Sequence, residues 1–242
     1  MSDKVPLETF LSDAHVSPEV FNLRPDYRAL LMVVDGIPPG PSDNTREDLL
    51  QEAEASARKQ LAQHSVTDMP HVAAWRDAYK AFGAKPQRTR NSLEALTRRV
   101  EGGLPRVNRL TDIYNAISVK HQIPLGGEDL DKYEGAPRLI RATGKETFRT
   151  VIGGEVVTEH PDPGEVVWWD DAGVTCRRWN WRQDPRTALT DNTTRALFIM
   201  DALAPISDDS LEAAAEELIA ALRQLNSNIR IQRRTISPST GQ

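Results

Sequence analysis

Residues 111–131 read TDIYNAISVKHQIPLGGEDLD. Val107, Leu110, Ile113, Tyr114 and Ile117 recur at helical spacing and predict a helix over 107–121. Asn108, Asp112 and Asn115 recur at intervals of four and three, on a second and polar stripe of that helix. Pro124 ends it, and Gly126-Gly127 then stand directly before the acids Glu128 and Asp129. A backbone without Cβ lets a ligand approach its N–H groups, which are good donors to a carbonyl or an oxyanion. A tight turn explains the same glycine pair, and a hydrogen-bonded helix face that fixes the following loop explains the polar stripe.

Working outward, Tyr27 to Ile37 is an apolar run ended by Pro38-Pro39-Gly40-Pro41, which predicts a buried strand with a hard stop. Helices are expected over 45–63, with Thr45 as cap, and from Pro70, where Trp75, Tyr79 and Phe82 share a core stripe up to Gly83. Asn91 and Glu94 have capping-box spacing before a third helix. Beyond residue 137 the character changes: short strands are expected at 138–143, 147–152, 155–158, 166–170, 174–181 and 195–203. An amphipathic helix over 207–225 and a last strand over 228–236 follow. Helices mostly first and strands in a block afterwards predict an α+β fold, mixed β-sheets packed with helices. One domain over 1–242 is expected, with its core at about 27–225 and a flexible tail at 226–242.

The 242 residues carry a net charge of −5, which argues against a general nucleic-acid coat and against DNA as a partner. A local anionic partner stays open, because the stretch 176–182 is both basic and aromatic and no acid follows Glu217. No apolar run is long enough for a membrane span, and no signal-peptide layout opens the chain. Cys176 is the single cysteine, so no internal disulfide can form and a cytoplasmic location is expected. The five histidines are scattered, so neither a metal nor another cofactor is expected. Phosphate-loop, nucleophile-elbow, zinc-helix and dinucleotide fingerprints are all missing. Cys176 in an apolar strand reads as an inert core residue. On strict alternation Arg178, Asn180 and Arg182 share one strand face, and Arg177, Trp179 and Trp181 the other. Tryptophans packed inward is one reading; an arginine for phosphate and a ring for base stacking, at a single-stranded RNA end, is the other.

Several runs occur in a telling order: a strand ending in PGPS, then RVNRLTDIYN, IPLGGEDLDK, PRLIRA, GKETF and GEVVWWD. This order resembles the B3/B4 editing domain of the bacterial phenylalanyl-tRNA synthetase β subunit, in free-standing form. The similarity is best over 94–149 and looser over 27–203. The resemblance implies a trans-editing hydrolase that deacylates a mischarged aminoacyl-tRNA through a positioned water, without a metal. Its partners would be the aminoacyl-tRNA 3′ end and, in a second reading, a free amino acid. By the same correspondence Asn108, Asp112, Asn115, Gly126 and Gly127 would bind substrate, and Glu128 and Asp129 are the catalytic candidates. Arg178 and Asn180 would touch the RNA. Where the family carries a histidine, an alanine and a phenylalanine, this chain has Gly126, Gly127 and Glu128, which changes the volume and polarity of the pocket. Asp201 lies near the place of the family's pocket glutamate. A non-catalytic module of the same fold, holding an RNA end or an amino acid, and a hydrolase of small amino-acid esters or amides are the alternatives.

Overall fold

The computed structural model describes residues 5–43 and 46–238. The chain runs through α1 (Leu7–Ser12), β1 (His15–Val16), α2 (Pro18–Leu23) and β2 (Arg28–Asp35). Helices α3 (Glu47–Leu61), α4 (Pro70–Ala81), α5 (Ser92–Thr97) and α6 (Arg109–His121) come next. The strand-rich block holds β3 (Leu125–Asp129), β4 (Arg138–Arg141), β5 (Phe148–Ile152), β6 (Glu155–Glu159), β7 (Val166–Asp170), β8 (Gly173–Arg177), β9 (Arg182–Gln183) and β10 (Arg195–Ala202). Helix α7 (Asp208–Arg223) and β11 (Arg230–Ile236) follow. The expected cap Thr45 lies outside the described residues.

Two sheets carry the molecule. One is antiparallel in the order β11-β2-β10-β3; the other is mixed, β1-β4-β7-β8-β9, with β1 parallel to β4. The alternation of β2 explains why its sequence is apolar throughout. Ala29, Leu31 and Val33 face the second sheet, with Leu139, Val166 and Trp168 opposite, whereas Leu30, Met32 and Val34 pack under α6 and α7. An α+β fold of mixed sheets and helices is therefore what the chain forms.

The core begins earlier than residue 27, since Phe10, Leu11, Val16 and Val20 join the cluster between the sheets. The segment 230–236 is no loose tail, because β11 pairs with β2 over its whole length. Its arginines are committed too: Arg233 reaches Glu212 and Glu216, Arg230 reaches Asp35, and Arg234 donates to carbonyls of α1 and the loop after it. Asn91 caps α5 by accepting from the Glu94 N–H at 2.8 Å, but Glu94 does not return the bond as a capping box would. Its buried carboxylate is held instead by Arg76 and Arg98.

Gly126-Gly127 is not a turn. Both glycines lie in β3, the edge strand, with Gly126 opposite Ile199 and Gly127 opposite Phe198. A Cβ on Gly127 would stand 2.7 Å from Leu189 Cδ1 and 2.9 Å from Tyr114 Cδ1, while one on Gly126 would meet only Gln183 Nε2, at 3.4 Å. Gly127→Ala should therefore cost about 1–3 kcal/mol through overpacking, and Gly126→Ala should be close to neutral. Thermal melts of the two variants check this; equal melting temperatures would refute the packing account.

Candidate active site

The parity of β3 and β10 sends Gly126, Glu128, Ile199 and Asp201 into the space between the two sheets. A cavity of about 240 Å³ lies there. Its inner walls are Trp168, Cys176, Trp179 and Ile199, and Asn115 reaches it from α6 past the edge strand. Exposed Arg99 and Arg182 stand at its mouth, and neither pairs with an acid among the described residues.

Three of the polar residues that line this space are Asn115, Glu128 and Asp201. Asn115 is 6 % exposed and lines the cavity, and its side chain makes no hydrogen bond to another described residue. The Glu128 carboxyl is buried; the Tyr133 hydroxyl donates to its Oε2, and the Thr175 hydroxyl lies beside it. Burial, against the Tyr133 hydrogen bond, pushes this carboxyl up to about 7. Asp201 accepts from the Tyr27 hydroxyl at 2.6 Å and from Asn180 Nδ2 at 3.2 Å. Burial pushes it, too, up to about 7.

The structure divides the expected site residues into two groups. Asn115, Gly126, Glu128 and Asn180 line the cavity together. The others serve the scaffold. Asn108 caps α6, accepting from Thr111 N at 2.9 Å, and donates to the Leu189 carbonyl. Asp112 accepts from the Val107 N–H and from the Ser42 hydroxyl, tying the start of α6 to the turn after β2. Asp129 accepts from Asp131 N and Thr193 Oγ1 and so shapes the short helical turn after β3. Gly127 packs against Tyr114 and Leu189 and is not among the residues that line the cavity.

The glycine N–H groups do not form the expected anion cradle as a pair. Asp201 N donates to the Pro124 carbonyl, which sets the phase of the ladder; Gly126 then exchanges its N–H and C=O with Ile199. Gly127 turns its own groups to the open edge, where its carbonyl takes Gln183 Nε2 at 2.9 Å.

The expected strand over 174–181 breaks after Arg177. Arg178 and Trp179 take left-handed conformations, with φ of 49° and 68°. The strain is offset by what the turn places: Trp179 is swung into the core against Tyr27 and Trp75, ring centroids 4.8 and 5.1 Å away. Arg177 grips Glu165 with two 2.9 Å bonds, and Arg178 contacts Glu165, Thr89 and the Trp181 ring. Arg178 and Asn180 therefore do not share a strand face: Arg178 lies outside the cavity, and Asn180 lies within it.

Asp201 is the site residue that spacing could not assign. Its signal was chemical, a lone acid inside the apolar run LFIMDAL (197–203). Among the described residues no helix is long and apolar enough to cross a membrane, and no cluster of three His, Cys, Asp or Glu could hold a metal.

A family profile described as the B3/4 domain matches residues 74–227, well over half of the chain. The chain belongs to the B3/4 domain family. The order of runs around 106–115 and 123–132 thus pointed to the right family. An N-terminal fragment of the phenylalanyl-tRNA synthetase β subunit from Pyrococcus horikoshii is similar in structure, at 11% identity and a TM-score of 0.47. The similarity covers 92% of this B3/4 chain and 53% of that fragment, so the chain spans about half the length of its structural neighbour. No curated protein sequence matches it.

Proposed function

We propose that this B3/4 protein hydrolyses the ester of a mischarged aminoacyl-tRNA, with the aminoacyl group in the cavity and the terminal nucleoside at its mouth. The observation that carries the reading is the pairing, in one amino-acid-sized cavity, of the Asn115 amide with a Glu128 carboxyl that burial pushes up to about 7. An amide that lines the cavity and is not used by the scaffold fits a ligand there.

In this mechanism ionised Glu128 takes a proton from a water whose oxygen attacks the ester carbonyl carbon. The Asn115 Nδ2 group donates to the oxyanion that forms. Collapse breaks the bond to the ribose oxygen, which leaves with the proton from Glu128, and the free amino acid and the tRNA are released. A base poised near pH 7 suits this step. Arg99 and Arg182 would meet the phosphates of the 3′ end. Asp129, turned to its own hydrogen bonds, has no part in the reaction.

A panel of mischarged aminoacyl-tRNAs tests the proposal. At least one should lose its ester faster than its correctly charged counterpart; no rate above buffer for any of them would sink it. Binding of an aminoacyl amide without turnover of any ester would favour the non-catalytic module.

A further inference from the structure

Among the described residues, the buried acids follow a rule with two exceptions. Glu94, Glu165 and Asp170 are each gripped by an arginine, and Asp112 and Asp129 each accept a backbone N–H. Glu128 and Asp201 have neither; both line the cavity. A buried charge is ordinarily paired, because the lost hydration must be replaced by a counter-charge or by several donors.

The two carboxyls mark different ends of the site. Glu128 stands opposite Leu197 in the ladder, and Asp201 is four residues further along β10, about 13 Å at the strand rise. With the ester at Glu128, Asp201 meets the far end of the ligand's side chain. The groups that face Asp201 are Tyr27, just before β2, Asn180 and Trp179 from the turn after β8, and Cys176 from β8; Tyr79 of α4 lies behind Asn180. None is a cation. The indoles of Trp168 and Trp179 line the same cavity as Asp201, and an indole face attracts a cation.

We propose that the inner end of the cavity takes a protonated amine, so that the aminoacyl group it accepts has a side chain ending in an ammonium, paired with Asp201 in the tryptophan-lined cavity. This rests on the reading of the cavity as an aminoacyl site. A hydroxyl at the same place would complete a hydrogen bond but leave the carboxylate without a counter-charge. Because burial pushes Asp201 up to about 7, an entering ammonium at pH 6 should displace close to one proton.

Calorimetry on the full chain at pH 6 tests this with lysine amide, norleucine amide and tyrosine amide. Norleucine carries lysine's methylene chain without the ammonium. Lysine amide should bind at least about tenfold tighter than norleucine amide, with proton release seen as a dependence of the heat on buffer. Asp201→Asn should bring the ratio near one; if that variant does not fold, the comparison in the unmodified protein decides alone. Equal or tighter binding of norleucine or tyrosine amide, an undiminished preference in Asp201→Asn, or no binding of any amide at about 10 mM overturns the proposal. Lysine preference without ester hydrolysis would remove the hydrolase reading and leave the amine site; hydrolysis without lysine preference would do the reverse.

Discussion

Replacing Glu128 by glutamine lowers kcat/KM for a mischarged aminoacyl-tRNA by about 10²–10⁴, the usual worth of a general base, and abolishes the rise of rate with pH. In the unmodified protein the base must be ionised. With its carboxyl at about 7, the rate should fall tenfold per pH unit below 7 and level off above. Glutamine keeps an oxygen for the Tyr133 hydroxyl but cannot take a proton, so the profile should become flat. A Glu128→Gln variant with unchanged rate and profile would remove Glu128 from the mechanism.

The same substitution should stabilise the fold at alkaline pH. A carboxyl whose value rises from 4.5 unfolded to about 7 folded binds more protons in the folded state between those limits. Its contribution is complete below about pH 4.5 and is lost as pH rises through 7, amounting to about 3 kcal/mol by pH 8. Glu128→Gln should therefore melt higher than the parent at pH 8 and at nearly the same temperature at pH 4. Lost activity with gained stability is what a strained functional carboxyl produces and a structural one does not.

The largest loss of stability is expected at Trp179. The ring is fully buried, lies edge-on to Tyr27 and Trp75, and walls the cavity. Trp179→Ala removes this filling at the junction of β2, α4 and the second sheet, and should cost about 3–5 kcal/mol. Chemical denaturation measures it. A loss below about 1 kcal/mol, the range of surface substitutions, would show that the turn after β8 does not organise the core. Trp181, two residues on, is half-buried beneath Arg178 and Arg182, whose guanidinium carbons lie 4.5 and 4.3 Å from its ring centroid. The two tryptophans look equivalent on a strand template, and the left-handed pair at 178–179 separates them.

Much of the architecture was legible because burial on both faces writes itself into long apolar runs. Residues 27–37 and 195–203 read as strands for that reason, and they became the paired centre of the first sheet. The amphipathic stripes of α6 and α7 were equally plain, as was the cap at Asn91. The last strand was legible, but its pairing with β2 was not, since register depends on a partner far away in sequence.

By itself the sequence determined an α+β chain and the family to which it belongs, and it singled out the polar stretch 108–129 as the candidate site. Only the tertiary structure decided which polar residues there are free to act. Asn108, Asp112 and Asn115 share one stripe of one helix, yet the first two are consumed by the backbone at the start of α6, and the third opens onto the cavity. Likewise Gly126 and Gly127 are neighbours of one kind, but strand alternation gives the first to the cavity and the second to the packing against Tyr114. Spacing sets which residues point the same way. What stands opposite them, and so whether a polar group is spent or available, is settled only when distant segments meet.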